Sequence, residues 1–405
     1  MTHRAQGSLE RLALLIPRPA RAVWLAPHHP EFCTEKCEIT LTQIVTARHL
    51  FGPGPCNPYP EATAALGLPL LGHLDPLFIA RMDRTADGLR TLWGTKNSRT
   101  LPLSATGSAG MEAAFVNTVK AGDVAVIAVN GLFGERMCDV ASRAGAEVVR
   151  VDHEYGTPVD AQRVADAHPN PTVIAAVHAE TSTGVVSDIA ALGAIKGDAL
   201  LIVDAVTSIG GMPVLADEWG IDVGYAGTQK CIGVAPGLAP FTISDRAFDR
   251  RIEKPQSWYL DLGLLGGYTT GGAGGGRTYH HTAPVGMVAS LEAGIDRILA
   301  EGLDAVTLRH QEAGKALQDG LEEMGLRLFA AEGHRLAQLT TVYVPEGVDS
   351  AKVRGYLLER FNIEIGGGVG KYASTVWRIG LMGPNANPTS VALILTALKE
   401  AIAKA

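Results

Sequence analysis

Cysteine is scarce in this sequence, with five residues among 405, and aromatic side chains make up only 6% of it. Cys33, Cys37, Cys56, Cys138 and Cys231 are scattered and odd in number. That excludes a disulfide framework and points to a reduced, cytoplasmic setting. No apolar run is long enough to cross a bilayer, so no membrane partner is expected. A basic stripe is also missing: 35 Lys and Arg face 42 Asp and Glu, a net charge of -7. Nucleic acid and anionic membrane are therefore poor candidates as partners. What is plentiful is glycine, with 47 residues, in a chain that is 46% hydrophobic. Much glycine with few aromatics suits an α/β protein with many tight strand-to-helix turns.

Residues 1–46 read as an N-terminal extension, most simply a disordered one. Arg4, Arg11, Arg18 and Arg21 surround the apolar stretch Leu12 to Ile16, with only Glu10 opposing them. This is also the composition of an organelle-targeting peptide, although Pro17, Pro19 and Pro27 limit any helix there. His28, His29, Cys33 and Cys37 are zinc-ligand types, but CTEKC lacks a second ligand pair and no metal is expected.

Proline and glycine punctuate FGPGPCNPYP (51–60), and a helical pattern then runs through Leu89. From 103 to about 245, short apolar runs alternate with helical stretches: VAVIAV (124–129), EVVRV (147–151), TVIAAV (172–177), ALLIVD (199–204) and LAPFTIS (238–244). Runs of this kind fit strands buried on both faces, and the alternation implies a mostly parallel sheet covered by helices. Residues 262–276 read as a flexible loop, and one long helix is expected from Pro284 to Met324. The remainder reads as a smaller α/β unit. The division expected is a large domain over 47–300 and a small C-terminal domain over 301–405.

Open parallel sheets bind ligands at the carboxyl ends of their strands, so reactive side chains matter most there. Lys230 follows the apolar run Ile221 to Ala226 and precedes a Gly/Pro-rich stretch. A lone lysine is usually a solvated surface charge, but one held in a pocket of small residues can lose its proton and attack a carbonyl. Asp204 ends the run LLIVD. It would serve as a simple turn residue, or as a buried carboxylate that partners a pyridinium nitrogen. The turn SATGSAGMEAA (104–114) leads small residues into a helix, an arrangement that binds phosphate through free N–H groups. It lacks the three spaced glycines of a dinucleotide fingerprint, which counts against a dehydrogenase. Arg378, inside the apolar WRIGLMG, is either one half of a structural ion pair or a clamp for a substrate carboxylate.

Taken in order, GPGP(x)N, (T)GS..MEAA, NGLFGER, H(A)ETSTGV, VDAVTSIGG, GTQK, YHHTAP and WRIGLMG resemble the motifs of the fold-type I, class V aminotransferases. The match is closest to the alanine–glyoxylate and serine–pyruvate (serine–glyoxylate) branch, and it runs from about Gly52 to the C-terminus. The resemblance implies an α/β fold with a mostly parallel, seven-stranded type of sheet and a smaller C-terminal domain. It also implies pyridoxal 5'-phosphate (PLP) as cofactor, small amino acids and 2-oxo acids as substrates, and a homodimer.

By the same resemblance, Lys230 is the Schiff-base lysine that also moves the substrate proton, and Asp204 is the pyridinium partner. Thr106, Gly107, Ser108 and Gln229 bind the phosphate. Thr181 lies near the phenolic oxygen, Phe133 stacks on the ring and Arg378 clamps the substrate carboxylate. Tyr279 and Thr282 reach the cofactor of the neighbouring subunit. Phe133 stands where tryptophan is commoner, and Ser108 where some members have histidine. Alanine or serine is the donor favoured, with glyoxylate or pyruvate as acceptor, because no second arginine occupies a matching position for an acidic side chain. Ureidoglycine, aspartate, pyridoxamine and aminoethylphosphonate are the alternative donors. A non-catalytic binding protein on this fold would be expected to lack the lysine or the aspartate, and both are present.

Overall fold

The apolar runs between 99 and 243 assemble into one seven-stranded sheet. The computed structural model describes residues 47–269, 271 and 277–404. The readings made for the N-terminal extension, including His28, His29, Cys33 and Cys37, lie outside the described residues. The strands are β1 (Arg99–Leu103), β2 (Val124–Val129), β3 (Glu147–Asp152), β4 (Val173–Val177), β5 (Leu200–Asp204), β6 (Val223–Tyr225) and β7 (Ala239–Ile243). Their spatial order is β1-β7-β6-β5-β4-β2-β3. Every pairing is parallel except the two made by β7. All residues of β4, β5 and β7 are buried, which explains why these strands read as continuous apolar runs rather than alternating ones.

Register places the carboxyl ends together. Val177 of β4 lies opposite Asp204 of β5, and Asp204 lies opposite Tyr225 of β6. Helices cover the sheet between strands. α1 (Pro76–Trp93) starts at Asp75, whose side chain accepts the Leu77 N–H. It runs one turn beyond the expected end at Leu89, to Gly94 in the left-handed conformation, where glycine carries no Cβ penalty. α2 (Gly107–Thr118) and α3 (Leu132–Arg143) follow β1 and β2. Separate apolar clusters fill the two sides of the sheet.

Two sequence expectations need correction. The helix expected over 284–324 is two helices, α4 (Val285–Glu301) and α5 (Leu303–Glu323), because Gly302 at φ 92 leaves the helical region between them. The stretch 262–276, expected as a loop, begins with a helix over Leu262–Thr269. Leu262, Leu265 and Tyr268 recur every three residues and are buried on one face, a period masked by the neighbouring glycines.

A smaller antiparallel sheet has β10 (Val376–Gly380) between β8 (Leu339–Tyr343) and β9 (Gly366–Gly367). With α5, α6 (Ser350–Phe361) and α7 (Pro388–Lys404) it encloses its own apolar cluster around Trp377. Phe51 from the start of the described chain belongs to that cluster. From there the chain runs past the lysine loop: the Cys56 N–H donates to Gln229 O, and the Tyr59 N–H donates to Gly233 O.

Candidate active site

A cavity of about 290 Å³ opens at the carboxyl ends of β4 and β5. Eight of the candidates read from the sequence line it: Thr106, Gly107, Ser108, Phe133, Thr181, Asp204, Gln229 and Lys230. Each is delivered by a strand end or by the turn after one. Thr106 precedes α2 at the exit of β1, and Phe133 lies in the first turn of α3 after β2.

Lys230 is only 8% exposed. Its Nζ donates to the Pro53 carbonyl, and a Cβ on Gly54 would overlap its side chain, so glycine is required there for the arm to lie against the lysine. Burial pulls the ammonium down from 10.5 to about 8, and Arg378 pushes the same way; Cys231, Asp204 and Cys56 pull back without prevailing. A solvated surface lysine is thereby ruled out, and the amine is available near neutral pH.

Asp204 is 3% exposed. Its Oδ1 accepts the Val206 N–H at 2.8 Å, so the turn role anticipated for it is real, while its carboxyl also faces the cavity. Burial lifts it from 3.8 to about 7, and the nearby Glu180 carboxylate adds to the rise. The Val206 N–H, the Tyr225 hydroxyl and Lys230 oppose that rise. The Tyr225 hydroxyl lies near this carboxyl without the geometry of a formed hydrogen bond.

The mouth of α2 has the features of an anion cradle. Thr106 makes no side-chain cap, and the first helical N–H groups have no intrahelical acceptor. A Cβ on Gly107 would stand 3.1 Å from Val206 Cγ2 and 3.2 Å from Ala226 O, so the backbone comes close only because glycine is there. The buried Gln229 Oε1 has no partner. Free amides, a carboxylate, a lysine and an aromatic ring in one cavity wall suit a flat, phosphorylated pyridine aldehyde.

Arg378 is not part of the cavity wall. It sits on β10, where its Nε donates to Gly367 O at 2.7 Å and its Nη1 to Thr181 O at 3.4 Å. Among the described residues it makes no ion pair, so the structural-pair alternative fails and the remaining guanidinium donors are available. Tyr279 and Thr282 do not reach the cavity of their own chain. Tyr279 is 59% exposed, and its hydroxyl lies 3.3 Å from Thr282 Oγ1. The neighbouring His281 ties this segment to the phosphate turn, its Nε2 standing 2.6 Å from Ser104 Oγ.

Sequence reading missed three residues. Glu180 and Tyr225 are fully buried beside Asp204; Tyr225 is placed there by the register of β5 and β6, Glu180 by the turn that follows β4. Arg136 lines the cavity one helical turn after Phe133, its guanidinium 5.0 Å from the ring. Arg136 is thus a second cation in the wall besides Lys230, and its turn spacing from Phe133 was the signal available.

The sequence matches the family model described as Aminotransferase class-V over residues 64–376. It is 40% identical over 368 residues to an alanine–glyoxylate aminotransferase of Drosophila melanogaster, with 88% of this chain and 93% of that protein covered. An (S)-ureidoglycine–glyoxylate transaminase of Bacillus subtilis is 34% identical over 380 residues, with 88% of this chain and 90% of that protein covered. The crystal structure of an alanine–glyoxylate aminotransferase from Nostoc sp. superposes with a TM-score of 0.85 at 42% identity, with 88% of this chain and 96% of that chain covered. The chain belongs to the class V aminotransferases and is a transaminase with pyridoxal phosphate as its cofactor.

Proposed function

We propose that the chain moves the amino group of a small amino acid, alanine or serine, to glyoxylate or pyruvate. The observation that carries the reading is the buried Lys230, its amine brought to about 8, in one cavity with Asp204 and the α2 N-terminus. Glyoxylate is common to the names of the relatives above, while the donor differs among them.

Thr106, Gly107, Ser108 and Gln229 would hold the phosphate of PLP, and Phe133 would pack against its ring. Asp204 would pair with the pyridine nitrogen, and Thr181 would lie toward the phenolic oxygen. When bound, PLP supplies an electron sink that makes the substrate's α-carbon acidic. Lys230 Nζ takes that proton and returns it as general acid. Arg378 grips the substrate carboxylate in a two-pronged bond, which orients the α-hydrogen toward Nζ. The enzyme works as a homodimer in the cytoplasm, with Tyr279 and Thr282 completing the partner's site, and with residues 301–405 as a small domain that supplies Arg378.

Arg136 in the cavity wall favours a second reading, an acidic donor such as aspartate whose side-chain carboxylate it would meet. A panel of alanine, serine, aspartate and ureidoglycine against glyoxylate and pyruvate separates the two. Fastest turnover with alanine or serine is expected, aspartate in first place would move the assignment to the second reading, and no turnover with either acceptor overturns both.

A further inference from the structure

Glu180 is completely buried, and the mechanism above does not use it. Burying a carboxylate is costly unless hydrogen bonds compensate. Its partners are backbone amides: Oε2 accepts the Phe133 N–H at 3.1 Å, and Oε1 accepts the Ser182 N–H at 2.9 Å. The Ser182 hydroxyl in turn accepts the Leu132 N–H at 2.9 Å. Gly131, at the N-cap of α3, has no side chain to do this, and a Cβ there would overlap Glu180. Glu180 and Ser182 thus cap α3 from outside the helix; burial pushes the Glu180 carboxyl up, while the Ser182 and Phe133 amides at the positive helix end hold it down.

The same loop holds the other end of the site. Thr181 O accepts from Arg378 Nη1, Thr183 O accepts from Thr341 Oγ1 at 2.5 Å, and Gly184, at φ 75, returns its N–H to Glu180 O at 2.8 Å. Residues 180–184 therefore bridge the helix turn that carries Phe133 and the strand that carries Arg378. The Glu180 charge is also felt at Arg378, which has no closer carboxylate partner among the described residues.

We propose that Glu180 is a positioning residue: its carboxylate fixes Phe133 over the cavity and, through the Thr181 carbonyl, aims the Arg378 guanidinium. The inference rests on the roles proposed above for those two residues. It predicts linked effects on the cofactor's ring and on the substrate's carboxylate, which a purely structural buried acid would not produce.

The test is Glu180→Gln, which keeps the shape but turns one accepting oxygen into a donor facing an N–H. The protein is loaded with PLP and read by the visible circular dichroism of the bound cofactor, by PLP affinity and by steady-state kinetics. Expected are a reduced dichroic band, PLP binding about tenfold weaker, and a KM for the amino donor raised about tenfold with kcat changed by less than about threefold. Glu180→Asp, which retains the charge but shortens the reach, should restore KM more than it restores the band, and it serves as the reading if the glutamine variant does not fold. A folded variant with wild-type dichroism, PLP affinity and KM overturns the proposal. Wild-type protein that shows no borohydride-fixable band on Lys230 would instead overturn the functional reading beneath it.

Discussion

The cavity wall and the Tyr279–Thr282 segment make opposite demands on the chain. The wall is assembled from five separate stretches of sequence, yet Lys230, Asp204 and Thr181 are all buried and lie within one chain. Tyr279 to Thr282 is a single short stretch, tied to Ser104 behind the phosphate turn and turned outward. Trp258, at 61% exposure, stacks on His280 at 4.4 Å beside it. Both sets were found from motifs of equal clarity, but only one converges. Motif order alone thus does not tell which residues one copy of the chain brings together.

The largest effect should come from the wall. Lys230→Ala is expected to lower transamination at least about a thousandfold, because proton transfer and covalent capture are lost together. Retention of full turnover would remove the wall from the chemistry and make the comparison meaningless. Next in size is pH. The Nζ attacks only as the free amine, so the rate of PLP capture by the cofactor-free protein should fall about tenfold per pH unit below about 8 and level off above it. The sign follows from burial, which lowers this group. An ordinary exposed lysine would keep the rate rising toward 10.5, and stopped-flow absorbance over pH 6 to 10 distinguishes the two.

The segment is tested by Tyr279→Phe combined with Thr282→Ala. If it serves a second copy, PLP affinity should weaken about tenfold with the hydroxyl donors lost, although neither residue touches its own cavity. Mixing this variant with Lys230→Ala should restore part of the activity, since one hybrid site would then be complete. No loss of PLP affinity in the double variant would confine the site to one chain.

Much of this could be read beforehand because it is local. Strands such as Leu200–Asp204 announce themselves by composition, and α1 by its apolar pattern, although its end at Gly94 lies one turn beyond the expected Leu89. The helix break at Gly302 was hidden because apolar periodicity continues across it. Glu180 and Tyr225 were missed for another reason. Their importance comes from standing next to Asp204, Tyr225 through the register of β5 and β6 and Glu180 through the path of the turn after β4, neither of which a single stretch of sequence encodes. Arg136 was overlooked because an arginine on an amphipathic helix reads as a surface charge unless the helix mouth is known to be a wall.

The smallest expected effect lies where the arm meets the lysine loop. Cys56 holds two successive carbonyls there: its N–H donates to Gln229 O at 2.9 Å and its Sγ to Lys230 O at 3.0 Å. Burial pushes the thiol up to about 12, so it remains a neutral donor rather than a nucleophile at any ordinary pH. Cys56→Ala keeps the backbone bond and removes only the weak sulfur one. A net loss below about 1 kcal/mol follows, no more than a few-fold in kcat, with KM and PLP affinity unchanged. Cys56→Ser, which keeps a donor at shorter reach, should fall between the alanine variant and wild type. A loss in Cys56→Ala as large as that of Tyr279→Phe with Thr282→Ala would mean that the arm, and not the second copy, is the tighter external constraint on the wall.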